Sequence, residues 1–283
     1  MKIKKAVIPV AGMGTRFLPV TKSIPKEMLP IIDKPILQYI VEEAYDSGIE
    51  EILFITSPYK KCIEDYFDKS FELEERLINN GKSEYLQSVK NTYNMVKVYY
   101  IRQGEPMGSG HAINLAKSFV GNDTFAVMYG DDLMYSNKTP VLKQLIDVAT
   151  KNDCSVIGCM DIDKRLTKRY GMLKLNKDNT ISDIIEKPEM DKAPSTLAGL
   201  GRYIVKPSIF KYLEKISKIN GEYQFTDAMT DMMKHEKYMP CKIDGKYYDT
   251  GSKDGYLKAN IEYALRTDEL KEKVIDIIKK LDI

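Results

Sequence analysis

Short, mostly apolar runs alternate with helix-length amphipathic segments through the first 160 residues, and few folds accommodate that alternation. KAVIPV (5–10) has no polar face, as a strand covered on both sides must read, and it runs straight into a glycine turn. DKPILQYIVEEAYDSG (33–48) predicts a helix. Pro35 sits near its start, Ile36, Leu37, Ile40, Val41 and Ala44 recur on one side, and Gly48 stops it. IEEILFITSP (49–58) reads as the next buried strand. Strand, helix and strand with short joins require a right-handed crossover in a parallel sheet. The alternation continues through polar helical residues 59–91, a strand at 94–103, a helix at 108–119, a strand at 124–132, a helix at 140–152 and a strand at 154–160. The expected fold is α/β, a Rossmann-like, doubly wound sheet.

The grain changes after about residue 160. YGMLKLN, TISDIIEKP and TLAGLGRYIV are strands separated by turn signals, which adds antiparallel strands and makes the sheet mixed. PSIFKYLEKIS and EYQFTDAMTDMMKHE read as helices, and YMPCKIDGKYYDTGS as a hairpin-like pair turning at Asp244-Gly245. Residues 252–282 read as two C-terminal helices, the last with Leu270, Val274, Ile277, Ile278 and Leu281 on one face. That stripe suggests docking or self-association. No Pro/Gly/Ser-rich linker or internal repeat interrupts the chain, so 1–283 is expected to be a single domain.

Composition narrows the function. With 43% hydrophobic and 30% charged residues and a net charge of +2, the chain has the balance of a globular protein and no polybasic character, so no nucleic-acid partner is expected. No window approaches the roughly 18 apolar residues that span a bilayer, and the apolar run at the N-terminus is too short for a signal-peptide core. No membrane partner is expected, and the protein reads as cytoplasmic. Cys62, Cys154, Cys159 and Cys241 have no metal spacing and read as reduced thiols. His111 and His235 are the only histidines, which leaves histidine triads and His-rich metal sites poorly supported; His111 reads as structural.

Ligands of open α/β sheets bind beyond the carboxyl ends of the strands. AGMGTRFLPVTKSIPKEMLP (11–30) begins there. Gly12 and Gly14 let backbone N–H groups approach an anion. The spacing is not G-x-G-x-x-G, because position 17 is Phe, and no Gly-Lys-[Ser/Thr] closes a Walker A loop. The cations are instead side chains, Arg16, Lys22 and Lys26, and two cations converging on a glycine turn suit a polyphosphate. The competing reading is a structural turn with solvated lysines. GDD (130–132) puts carboxylates at the tip of a central strand, where they suit Mg²⁺ or merely an acidic turn. IIEKP (184–188) carries Glu186 and Lys187; adjacent strand residues point to opposite faces, so both serve one ligand only where the strand ends. In YYDTGSKDGY (247–256), Asp249 is either a second metal ligand or a helix cap. Strong acid–base machinery is not visible. Transfer of a nucleotidyl group to a phosphate needs little, because a phosphate monoester is already anionic.

Together AGMGTRFLPVTKSIPKEMLP, KPILQYIVEEA, RQGEPMGSGHA, YGDD, IIEKP, GRYIV, GEYQFTDAM and YYDTGSKDGYLKA resemble, in this order, the sugar-1-phosphate nucleotidylyltransferases, over about residues 5–265. GSGHA and QFTDA favour the uridylyl branch, which joins UTP to glucose 1-phosphate. The resemblance implies the nucleotide-diphospho-sugar transferase type of sheet, with 1–160 as nucleotide-binding half, 161–251 as sugar-binding half and 252–283 as C-terminal helices. It implies UDP-glucose and pyrophosphate as products, Mg²⁺ as cofactor and a homodimer or homotetramer. Carried onto this sequence, Ala11, Gly12 and Gly14 line the nucleotide and Arg16 and Lys26 hold the triphosphate. Glu27, Gln103 and Gly108 meet the uridine, and Asp131 and Asp249 bind Mg²⁺. Gly171, Glu186 and Gly201 face the glucose, and Lys187 neutralises its phosphate. Asp132 and Lys22 receive no role. MGSGHA, Phe225 and Gly-Leu-Gly at 199–201 depart from the commoner pattern without removing a charged group, which bears on base and sugar selectivity. The alternatives are the same fold acting on dTTP or another sugar 1-phosphate, or a non-catalytic nucleotide-sugar-binding protein.

Overall fold

Lys5–Pro9 lies at the middle of a four-stranded parallel core in a computed structural model that describes residues 2–219 and 221–281. Glu51–Thr56 and Phe125–Met128 flank it, and Lys97–Arg102 extends the edge. The alternation of strand side chains explains why KAVIP lacks a polar face. Ala6 and Ile8 pack with residues of helices Ile36–Asp46 and Val141–Asn152. Val7 packs on the other side with helices Ser109–Asn114, Ile209–Leu213 and Phe225–Met233. Each fully buried aliphatic side chain of this kind stabilises the fold by roughly 1.5–3 kcal/mol relative to exposure.

The second half of the chain adds strands of the opposite sense. Leu197–Val205 runs antiparallel to both Phe125–Met128 and Ser155–Asp161. Gly171–Leu175 and Ile181–Glu186 form an antiparallel pair beyond it, and Tyr238–Lys242 joins Ser155–Asp161 in parallel. The mixed sheet with extra antiparallel strands is therefore present as expected.

Two local expectations fail. The strand expected over 124–132 ends at Met128, and Asp132–Tyr135 is a separate strand. The expected hairpin at Asp244-Gly245 is instead a corner between two sheets. Tyr238–Lys242 stays in the main sheet, while Lys246–Asp249 pairs antiparallel with Asp132–Tyr135 and sets Asp249 opposite Asp132. The corner is fixed from outside: Asp244 N donates to Gln144 Oε1 at 2.9 Å, and Gln144 Nε2 donates to Asp244 O at 3.0 Å. An Asp-Gly turn serves a corner as well as a hairpin, so the sequence pattern does not separate them.

The polar stretch 59–91 forms three helices, Lys61–Tyr66, Phe71–Asn79 and Ser83–Tyr93. Helices Lys253–Arg266 and Asp268–Lys280 close the described chain; the expected helix end at residue 282 lies outside the described residues. On the last helix Ile277 and Ile278 are exposed, as is Leu281 just after it. Among the described residues no helix is long and apolar enough to cross a membrane. All four cysteines are free thiols, and only Cys62 is exposed.

Candidate active site

The parallel strands deliver their carboxyl ends to one edge of the sheet, and two adjoining cavities open there. One, of about 460 Å³, is lined by Ala11, Gly12, Lys26, Glu27, Gln103 and Gly108. The other, of about 310 Å³, is lined by Arg16, Asp131, Gly171, Glu186, Lys187, Gly201 and Asp249 among others. Ser109, Tyr129 and Glu222 line both and so form the join. Of the residues given a site role in the sequence, only Gly14 lines neither; Lys22 and His111, given none, also lie outside both linings. Gly14 turns the chain behind Lys26 with a left-handed φ of 65°. Lys22 is exposed on a separate, largely apolar groove beside the loop.

The loop at 11–30 is a run of three single turns, Thr15–Phe17, Val20–Lys22 and Lys26–Met28. Buried Phe17 anchors it, edge-on to Tyr256 with ring centroids 5.6 Å apart. The last turn splits its two charged residues between two environments. Lys26 Nζ reaches Asp131 Oδ2 at 2.5 Å. Burial alone would depress this ammonium, but the Asp131 and Glu27 carboxylates hold its pKa above the ordinary lysine value, so it is charged at any working pH. Glu27 is buried and accepts from Lys60 Nζ at 2.7 Å. Burial pushes the Glu27 carboxyl up and the Lys60 ammonium down, each against the pull of its partner. Lys60 was not singled out in the sequence, although it follows the carboxyl end of Glu51–Thr56, where the strand-end rule applies equally.

Gln103 Nε2 donates to His111 Nδ1 at 2.8 Å and to Gly108 O at 3.3 Å, so His111 orients a cavity-lining amide. Burial lowers the His111 pKa, which keeps the ring neutral and able to accept this bond at neutral pH.

The second cavity depends on the small sheet that replaced the expected hairpin. Thr250 N and Oγ1 both donate to Asp131 O, at 3.0 and 2.6 Å, and tie the two acidic turns together. A Cβ built on Gly251 would sit 2.5 Å from Asp131 Oδ2 and 3.2 Å from Asp249 Oδ1. Both carboxylates therefore face a spot that only glycine leaves open. Two hard oxygen donors on one small cradle fit a divalent cation such as Mg²⁺, which commonly takes one or two protein carboxylates and completes its shell with water and phosphate oxygens. Burial opposes ionisation of Asp131, but the Lys26 ammonium more than offsets it and holds the carboxyl below its usual range. Asp132 lines the same cavity, with both carboxylate oxygens already engaged by the protein. Its Oδ1 accepts from Tyr247 OH at 2.7 Å and its Oδ2 from Gly201 N at 2.9 Å. Burial, reinforced by the Asp131 charge, pushes the Asp132 carboxyl up to about 7. A side chain at Gly201 would collide with Asp132 Oδ2 and Tyr129 Cβ, so the strand can pass this close only as glycine.

Glu186 and Lys187 line the same cavity for the reason their adjacency demands. The strand ends at Glu186, and Lys187 has a left-handed backbone at φ 46°. Such a conformation is costly for a non-glycine residue and is held here by Lys187 N donating to Tyr170 O at 3.0 Å. Arg169 was also missed. Its Nη2 donates to Asp249 Oδ2 at 2.9 Å, and nothing in the sequence marks an arginine just before the strand Gly171–Leu175.

A family model described as nucleotidyl transferase matches residues 5–266. UTP–glucose-1-phosphate uridylyltransferase 1 of Staphylococcus saprophyticus is 46% identical over 288 residues, covering 100% of both chains. Among solved structures, the UTP-bound UGPase from Acinetobacter baumannii superposes with a TM-score of 0.93 at 36% identity, covering 99% of this chain and 100% of that one. A UDP-glucose pyrophosphorylase complexed with UDP-glucose superposes with a TM-score of 0.86 at 39% identity, covering 94% of this chain and 100% of the other.

Proposed function

The chain belongs to the nucleotidyl transferase family, and on that premise we propose that it transfers the uridylyl group of UTP to glucose 1-phosphate, giving UDP-glucose and pyrophosphate. The observation that carries this reading is the pair of cavities that meet at Ser109 and Tyr129, with a lysine and two carboxylates at their junction. One cavity takes the nucleotide. Glu27 and Gln103, with the backbone at Gly108, offer polar groups to the base, and Ala11 and Gly12 let the chain run close to the ribose and phosphates. The other takes the sugar phosphate. Glu186 and the backbone at Gly171 and Gly201 offer polar groups to the glucose hydroxyls, and Lys187 neutralises the sugar phosphate.

A phosphate oxygen of glucose 1-phosphate attacks the α-phosphorus in line; the new O–P bond forms as the bond to the β-phosphate breaks, and pyrophosphate leaves with the electron pair. Lys26 and Arg16 draw charge onto the departing pyrophosphate. No proton need move, which agrees with two cavities lined by no histidine among the described residues. Asp131 and Asp249 would hold Mg²⁺, which when bound supplies charge neutralisation at the phosphates.

Pyrophosphate release across a panel of UTP, dTTP and other triphosphates with several sugar 1-phosphates tests the reading. UTP with glucose 1-phosphate should give the highest kcat/KM. A preference for dTTP or another sugar would move the substrate within the same reaction. UDP-glucose binding by calorimetry without turnover of any pair would replace the enzyme with a binding protein.

A cytoplasmic location and a homodimer or homotetramer belong to the same proposal. The exposed Ile277, Ile278 and Leu281 support an oligomer contact. Light scattering on a chain truncated after residue 266 should then report a smaller particle than the full chain.

A further inference from the structure

Neither carboxylate of the proposed cation site is unpaired in this structure, and both partners belong to the chain itself. Lys26 Nζ holds Asp131 Oδ2. Arg169 Nη2 donates to Asp249 Oδ2 at 2.9 Å and to Ser252 Oγ at 3.1 Å, and Nη1 donates to Asp254 Oδ2 at 3.3 Å. The guanidinium also lines the second cavity beside Arg16 and Lys187. It is therefore forked between a carboxylate that faces inward and one that faces solvent. The rest of the donor set is sparse: among the described residues no cluster of three or more His, Cys, Asp or Glu side chains could hold a metal ion. Two carboxylates already charge-matched by the protein make a weak site for a bare cation, because binding must displace a cation before it gains a ligand.

A triphosphate changes both terms. Its oxygens supply the missing ligands, and its charge competes with Asp249 for the guanidinium, whose planar fork matches phosphate as well as carboxylate. We propose that Arg169 is a positioning residue that withholds Asp249 from a divalent cation until a triphosphate is bound, so that metal and nucleotide load as a unit. This rests on the reading of Asp131 and Asp249 as metal ligands. Once the triphosphate binds, the guanidinium leaves Asp249 for the phosphates and the carboxylate turns to the metal. By linkage, UTP tightens metal binding and the metal tightens UTP binding by the same factor.

The test is Mn²⁺ binding by electron paramagnetic resonance on the full chain, with and without UTP. Arg169→Gln removes the competitor. It should bind Mn²⁺ without nucleotide roughly three- to tenfold more tightly than the parent, as expected for losing a half-exposed charge-assisted pair. The factor by which UTP enhances Mn²⁺ binding should shrink correspondingly. Arg169→Lys keeps the charge without the fork and should fall between. Damage to the fold would weaken Mn²⁺ binding, so tightening separates this role from a structural one. An unchanged or weaker affinity in Arg169→Gln overturns the proposal. Asp249→Asn distinguishes the two levels of the argument. If it leaves Mn²⁺ binding in the presence of UTP unchanged, the metal-ligand reading itself fails. If it abolishes that binding while Arg169→Gln does not tighten it, only the role of Arg169 fails.

Discussion

The Glu27–Lys60 and Arg169–Asp249 pairs stand at opposite ends of the same site, and burial separates them. Glu27 and Lys60 are joined at 2.7 Å with side chains 2% and 6% exposed. Arg169 and Asp249 are joined at 2.9 Å with side chains 37% and 20% exposed. The first joins Glu27, which lines the cavity of about 460 Å³, to Lys60, on loops that follow parallel strands, and water cannot replace either partner. The second lies where two turns meet, and water or a ligand ion can replace the cation. A buried pair is a fixed part of a wall, because removing one partner strands the other's charge. A half-exposed pair is exchangeable, and the proposed admission of a cation and two phosphates calls for exchangeable charges.

Substitutions should separate the two kinds of group. Asp131→Asn removes a carboxylate of the proposed cation site, and kcat for pyrophosphate release should fall on the order of a thousandfold with the fold retained. Lys60→Met strands Glu27, and urea unfolding should show a loss of about 3–5 kcal/mol at neutral pH. That loss has a definite pH sense. The Glu27 carboxyl lies above its ordinary value in the folded chain, so the folded state holds the proton more tightly than the unfolded one. Lys60→Met should accordingly be less destabilised at pH 5 than at pH 8; the reverse order would mean that Glu27 is not buried as described. Lys187→Ala should raise KM for glucose 1-phosphate about tenfold while KM for UTP changes little, since only the second cavity, proposed to take the sugar phosphate, loses a cation. Arg169→Gln, the counterpart of Lys60→Met, should change unfolding stability by no more than about 1 kcal/mol. A loss equal to that of Lys60→Met would erase the distinction between the pairs. Lys22→Ala should leave pyrophosphate-release kinetics unchanged, because Lys22 lies outside both cavities.

The same contrast explains what the sequence made legible. The parallel core could be read because a strand covered on both faces has only one pattern, and the signature loop could be read because it follows such a strand directly. Glu186 and Lys187 could be assigned together only on the condition that their strand ends there, and it does. The small sheet of Asp132–Tyr135 with Lys246–Asp249 was not legible, because DDLMY and KYYD pair across a separation of over a hundred residues and an Asp-Gly corner resembles a hairpin turn. Asp249 could therefore be named from its motif, whereas the way it reaches Asp131 could not. Lys60 and Arg169 were missed for a shared reason. Each matters through the carboxylate it pairs with, and pairing partners that are distant in sequence leave no local pattern.

The account turns on direct transfer between two cavities that share a wall at Ser109 and Tyr129, with no covalent stop on the protein. The stereochemical course at phosphorus tests this most directly. UTP carrying a single diastereomer of an α-phosphorothioate, with glucose 1-phosphate, should give UDP-glucose of inverted configuration at the α-phosphorus, as one in-line displacement requires. Retention would require two displacements through an enzyme-bound nucleotidyl group, and would contradict the one-step reading of the site.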